Sequence, residues 1–267
     1  PVFVMVGVTN ECDIFRLGNS LKTAHPYYAN ELRQKMQDWM DANGIDYDCM
    51  NGDVVKNSHP VSTCNRALTM AYYQEMYDYM RSLGVKIPIT GTNWLHNSYH
   101  NVDTEMNMDF GDGHLYYYDW RWGEFEKHCH NLAITQKQTS FMASCVHSAA
   151  ADRPTYISEW DMPWPNEFRA ESPIYCAAFG MLQDWSGFAI HTYSYSARLD
   201  RMEMLGKEIF AEKIGNVPYR QGIFSAWNDP AKFGLFYHAA LITRRGDVSP
   251  ALEEVTVKPQ SLLKMDL

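Results

Sequence analysis

Two glutamates sit where a carboxylate can do chemistry. Glu159 ends the short β-branched run Thr155-Tyr156-Ile157, and Pro163 and Pro165 come soon after it. Proline donates no ladder hydrogen bond, so Glu159 belongs at or just past the end of a strand. Glu11 repeats the pattern. It comes after Val2-Phe3-Val4-Met5-Val6-Gly7-Val8 and is preceded by Thr9-Asn10. A near-continuous apolar run of that kind predicts a parallel strand covered on both faces. Either glutamate alone reads more readily as a solvated carboxylate capping a neighbouring helix. Two of them, each behind a buried strand of an alternating chain, point to the catalytic end of an α/β fold. A pair of carboxyls can divide the work of acid and base when their surroundings hold one neutral and the other ionised.

Other groups with chemical capacity fall at similar places. Asn93 and Trp94 follow the run Val85 to Ile89 across Thr90-Gly91-Thr92, and Asp112, His114 and Tyr116 lie in the run Met108 to Tyr118. Trp160 is the residue directly after Glu159. His191, Tyr193 and Tyr195 lie in the run from Gly187. His114 reads equally as a hydrogen-bonded structural histidine. Trp94 and Trp160 read equally as core residues and as platforms for a sugar ring. His96-x-x-x-His100 and His128-Cys129-His130 have metal-like spacing, but no third ligand or catalytic glutamate accompanies them, and no metal or other cofactor is expected.

The elements that must position these groups alternate. Tyr28, Leu32, Met36 and Met40, with Trp39, mark a helix ended by Asn43-Gly44. Leu68, Tyr72, Met76, Tyr79 or Met80, and Leu83 mark a second, capped by Ser62 or Thr63 and stopped by Gly84. Ile45 to Pro60 between them is an irregular insertion. Strands are expected at Val85–Ile89, Met108–Tyr118, Thr155–Ile157 and Gly187–Tyr195. Helices are expected over Phe125–Ser148, Ala170–Trp185 and Ala231–Ile242, the last capped by Asp229-Pro230. With the opening run this makes five strands alternating with helices, the pattern of a parallel sheet. No strand leads into a glycine-rich phosphate loop and a helix.

Bulk composition fits one large core. The chain has 267 residues, 46% of them hydrophobic, and a formal charge of −9. Lys and Arg form no cluster, which argues against a nucleic-acid partner. No apolar run reaches the roughly 18 residues of a membrane span. The first residues lack the three regions of a signal peptide. Six scattered cysteines, with no Cys-x-x-Cys, read first as free thiols in the core, while their even number also permits disulfides.

Thr9-Asn10-Glu11 and Ile157-Ser158-Glu159-Trp160 together resemble the clan A glycoside hydrolases, which are (β/α)8 barrels. In that clan an Asn-Glu pair ends strand four and a second glutamate ends strand seven. Pro88-Ile89-Thr90-Gly91-Thr92-Asn93-Trp94 resembles the end of strand five. Asp109-Phe110-Gly111-Asp112-Gly113-His114-Leu115-Tyr116 resembles strand six, with the His-x-Tyr of the cellulase-like family 5. Arg244-Arg245-Gly246-Asp247-Val248-Ser249-Pro250-Ala251 resembles the segment after the last barrel helix of β-galactosidase-like members. The resemblance implies an α/β TIM barrel of which this chain supplies roughly strands four to eight. Residues 1–250 would be the C-terminal portion of that domain, and 251–267 a tail or the start of a further β segment. Strands one to three would come from an upstream segment or another chain. Family 5 carries a tryptophan on strand eight; here His191, Tyr193 or Tyr195 stands in its place.

The activity that this resemblance implies is that of a retaining β-glycosidase, acting on a plant-type or other β-linked oligo- or polysaccharide. Glu11 would be the general acid/base and Glu159 the nucleophile. Asn10 would bind the sugar 2-OH, a contact that strengthens in the transition state. His114 and Tyr116 would flank the nucleophile, with the phenol orienting it. Trp94, Trp160 and Tyr193 would face the sugar ring, and Asn93, Asp112 and His191 its hydroxyls. The competing expectations are a sugar-binding barrel without turnover, an inactive barrel fragment and, more remotely, a metal-dependent hydrolase.

Overall fold

A computed structural model of the chain describes residues 3–12, 14, 21, 23–54, 60–93, 102, 104–117, 131–136, 149, 152–164, 166–194, 224–227 and 229–256. The chain divides into two compact units, Pro1–Gly111 and Asp112–Leu267.

In the first unit, β1 (Val6–Thr9) pairs in parallel with β2 (Ile89–Thr92), Val6 opposite Ile89 and Thr9 opposite Thr92. Helices α1 (Pro26–Ala42) and α2 (Val61–Ser82) lie between them in the chain. Strand β1 is shorter and more open than its apolar run suggests, for Phe3 and Val4 are 73% and 68% exposed. The core gathers Met36 and Met40 of α1, Val61 and Cys64 of α2, and Cys49 and Val54 from the intervening segment. That segment is pinned by Arg33, whose guanidinium donates to the carbonyls of Cys49 (2.5 Å) and Gly52 (2.9 Å). Burial pushes the Cys64 thiol up to about 12, so it stays protonated. Cys49, Cys64 and Cys176 are buried free thiols, and Cys12 is an exposed one.

Helix α2 turns a different face inward from the one its large side chains suggest. Tyr72, Tyr79 and Leu83 are exposed, while Val61, Cys64, Asn65, Thr69 and Tyr73 are buried. The polar members of this stripe find partners. Thr69 donates to the Asn65 carbonyl at 2.8 Å, and the Tyr73 hydroxyl meets Thr9 Oγ1 at 2.6 Å. The helix starts behind Pro60 without a side-chain cap, so neither Ser62 nor Thr63 serves as one.

In the second unit, β3 (Gly111–Tyr116), β4 (Thr155–Asp161) and β5 (Gly187–Ile190) form one sheet with β4 in the middle, and β4 and β5 run parallel. Leu115, Ile157, Trp160, Met162, Cys176, Phe179 and Trp185 make its core. Helix α3 (Glu171–Leu182) supplies part of that core. The expected helix over 125–148 fails within its described part. Residues 131–136 hold only a 3-10 turn, Ile134–Gln136. Their polar groups bond across the chain instead, Asn131 to Glu167, the Leu132 carbonyl to Asn166, and the Ile134 N–H to Glu171.

The last helix is broken in two, α4 (Pro230–Phe233) and α5 (Phe236–Arg245), at Gly234-Leu235. Asp229 does not cap it, because its carboxylate is held by the Arg169 guanidinium at 2.5 and 3.1 Å. Residues 251–256 form no strand, with Leu252 and Val255 open to solvent.

The TIM-barrel expectation is overturned. The described strands form two small sheets of two and three strands, with no continuous barrel wall through strands four to eight. Beside β2 the neighbouring segment makes one backbone bond and one side-chain bond in place of a ladder. The Ile89 carbonyl and N–H, which a further strand would need, are both taken by Asp109, through its N–H at 3.0 Å and its carboxylate at 2.6 Å. Asp109 is held in turn by Arg81 and by the Tyr77 hydroxyl at 2.9 Å.

Candidate active site

The two glutamates are placed by different means, each within its own unit. Glu11 stands in a turn after β1 and is exposed, with φ +49°. The left-handed region costs a non-glycine residue about 1–2 kcal/mol, so the turn needs external support. Asn93, at the end of β2, supplies it. Its Oδ1 accepts the Glu11 N–H at 2.6 Å, and its Nδ2 donates to Asn10 Oδ1 at 2.8 Å. Thr92 Oγ1 donates to the Cys12 carbonyl at 3.0 Å. Strand β2 is itself anchored on Glu105, a fully buried carboxylate that accepts from Thr90 Oγ1 and, at 2.8 Å, from the Thr92 N–H. Gly91 makes room for this, since a Cβ there would lie 3.1 Å from Glu105 Oε1.

Glu159 lies near the end of β4, half-buried. Simple alternation would put Ile157, Glu159 and Asp161 on one face. Opposite β5, however, Ile157 pairs with Phe188 and Trp160 with Ile190, three steps against two. The extra residue is a β-bulge, a device that re-aims side chains. Ile157 and Trp160 both stay in the core, while Ser158 and Glu159 both leave it.

Strand β3 offers Asp112, His114 and Tyr116 at alternate positions, hence on one face. Each grips β4. Asp112 Oδ1 accepts the Ser158 N–H at 2.9 Å, and His114 Nε2 meets Ser158 Oγ at 3.1 Å. His114 Nδ1 lies 3.4 Å from Glu159 Oε2, and the Tyr116 hydroxyl donates to that same oxygen at 2.5 Å. A hydrogen bond from a phenol to an ionised carboxylate is charge-assisted, and so stronger than one between neutral groups. His114 and Asp112 are almost wholly buried, and burial raises the Asp112 carboxyl, opposed by its bonds to Ser158 and by His114.

The other candidate residues divide between core, support and surface. Trp160 is 1% exposed and packs on Phe188 and Phe236, so it serves the core. Asn93 spends both ends of its amide inside the protein. His191 is half-buried, with its ring 6.4 Å from that of Tyr116 and 5.3 Å from that of Phe224. Its N–H extends β5 by donating to the Trp160 carbonyl, and the His191–Thr192 peptide is cis. Tyr193 is 58% exposed beside Phe233. Trp94, Tyr195, His96, His100 and the His128-Cys129-His130 cluster lie outside the described residues. Sequence reasoning passed over the supporting roles of Ser158, Thr92, Tyr73 and Glu105. The alternation Asp112-x-His114-x-Tyr116 is the signal that could have shown three gripping side chains on one face; nothing comparable marks Glu105.

Comparison with protein-family models, with curated proteins and with solved structures finds no match.

In chemical terms the Glu159 cluster is an oriented carboxylate with one oxygen hydrogen-bonded by a phenol and approached by an imidazole. That leaves a carboxyl group fixed in position and able to attack or to stabilise positive charge. Glu11 is an exposed carboxyl on a braced turn, suited to passing a proton to and from a ligand or water.

Proposed function

We propose that the chain carries the carboxyl pair of a retaining β-glycosidase that hydrolyses a β-linked oligo- or polysaccharide. The observation that supports it best is the grip on Glu159: a bulge turns it out of the core, and Tyr116 holds one of its oxygens with His114 3.4 Å away. A nucleophile that must meet an anomeric carbon along one line gains from such orientation.

In the proposed reaction Glu159 attacks the anomeric carbon, and the bond from that carbon to the leaving oxygen breaks. Glu11 gives its proton to the leaving oxygen. Glu11 then takes a proton from water, the water oxygen bonds to the anomeric carbon, and the ester to Glu159 breaks. The net change is hydrolysis with retained configuration. This chemistry requires carboxyls about 5–5.5 Å apart across the bond. Asn10 is the proposed partner of the 2-OH.

The test uses aryl β-glucosides, β-galactosides and β-mannosides, with NMR of the first-formed anomer. Glu159→Ala is expected to lose turnover by about 10⁴-fold or more and to regain it in azide as a glycosyl azide. Glu11→Gln should spare substrates with good leaving groups far more than those with poor ones. Inverted product, or unaltered turnover in Glu159→Ala, would rule the reading out. Sugar binding without hydrolysis of any substrate would leave a binding protein instead.

A further inference from the structure

We infer that Asn93 is a positioning residue: by locking the side-chain amide of Asn10, it makes Asn10 a hydrogen-bond donor toward the substrate. The inference rests on the glycosidase reading for its substrate, but the lock itself lies wholly within the first unit.

One group in this turn has a polarity that is not in question. A backbone N–H can only donate. The Glu11 N–H points at the Asn93 amide at 2.6 Å, so the atom it meets must be the carbonyl oxygen. The reverse orientation would set an NH2 against an N–H. With Oδ1 of Asn93 assigned, its Nδ2 is the end that faces Asn10, at 2.8 Å, and it too can only donate. Asn10 must therefore turn its own oxygen toward Asn93. Its NH2 is then the end presented on the exposed side of the turn. One unambiguous N–H thus sets two side-chain amides in succession. Asn93 is 9% exposed and its carrier strand is tied to the buried Glu105, so the lock is held from behind.

The consequence is specific. A donor in that place recognises a lone pair, as on the oxygen of a sugar 2-OH. With the amide reversed, the same asparagine would offer a carbonyl oxygen and could only accept. Asn93→Asp is the informative change, because its carboxylate still accepts the Glu11 N–H but offers no donor to Asn10. Asn10 is then expected to swing its NH2 inward and its oxygen outward.

The experiment compares kcat and KM for an aryl β-glycoside and its 2-deoxy-2-fluoro analogue, whose fluorine is a poor acceptor and no donor. The wild-type chain is expected to favour the hydroxyl compound strongly. In Asn93→Asp that preference should shrink about tenfold or more, chiefly in kcat, and Asn93→Gln should not restore it because the longer arm misplaces both ends. An unchanged preference, with activity lowered equally on both compounds, would overturn the inference and leave Asn93 a merely structural residue. Hydrogen exchange of the Glu11 amide in the wild-type chain supplies the second measurement, independent of turnover and of variant folding. Strong protection is expected; exchange at the rate of an open turn would refute the lock. A chain that hydrolyses nothing yet protects the Glu11 amide would sink the glycosidase reading while sparing the lock.

Discussion

Tyr116 illustrates how much one oxygen can carry. Its hydroxyl donates to the same Glu159 oxygen that His114 approaches, so the two carboxylate oxygens are unequal: one is held and the other is left for chemistry. Removing the phenol hydroxyl takes away a hydrogen bond to a charged group, typically about 1.5–3 kcal/mol. On the proposed glycosidase reading, Tyr116→Phe is therefore expected to lower kcat on an aryl β-glycoside by about 10–100-fold, with KM little changed. Steady-state kinetics on a variant whose circular dichroism matches the wild type would check it. At this scale the sequence is readable where a residue acts on a neighbour one strand away. Alternate spacing puts Asp112, His114 and Tyr116 on one face, and a glutamate on the next strand lies within their reach. It is not readable where a polar side chain turns inward. Asn93 looks like a ligand-binding amide because nothing nearby in the chain announces that Asn10 and Glu11, 83 and 82 positions earlier, will use both of its ends. Trp160 misleads in the opposite sense: a tryptophan beside a candidate nucleophile invites a sugar, but the residue closes the core.

Among elements, β4 decides the most. Its bulge keeps Ile157 and Trp160 inward on either side of two outward residues. Deleting Ser158 would restore strict alternation, with Ile157 and Trp160 still inward and Glu159 still outward, but it would remove the contacts by which Asp112 and His114 grip β4. The deletion is expected to leave the core packing of the second unit in place while abolishing any turnover that depends on the grip on Glu159. Near-ultraviolet circular dichroism of the core tryptophans would report the packing. Bulges have no signature in composition, so the sequence locates the strand but not the kink. Helices fail for a related reason. The stripe of Tyr72, Tyr79 and Leu83 is larger and more apolar than the stripe that α2 buries. Burial there tracks partners, with Tyr73 bonded to Thr9 and Thr69 to Asn65. Asp229 reads as a cap until Arg169, 60 positions away, takes its carboxylate.

For the molecule as a whole, composition speaks of a large core but not of the charges within it. Lys232 is wholly buried and donates to Asp161 at 2.5 Å across 71 positions of chain. Burial pushes the Asp161 carboxyl up to about 6, against the pull of the Lys232 ammonium. The folded value lies above the ordinary 3.8, so the native state binds this proton more tightly. The contribution to stability is thus full below pH 3.8 and lost as pH rises through about 6. Lys232→Met would leave a buried carboxylate without its partner, at a cost of about 3–5 kcal/mol. Urea titrations should show that deficit in full well above pH 6 and narrowing on acidification, because a protonated Asp161 no longer needs the ammonium. A deficit independent of pH would mean that lost packing, not charge, is responsible.

The extra residue in β4 also separates two obligations that most strands carry together. Residues on either side of the kink answer to the hydrophobic interior, whereas Ser158 and Glu159 answer only to β3. A designer could exchange that dipeptide, together with Tyr116, for another reactive pair and leave the hydrophobic core residues Ile157 and Trp160 untouched. The same insulation lets chemistry at this spot drift over evolutionary time without endangering the scaffold that presents it.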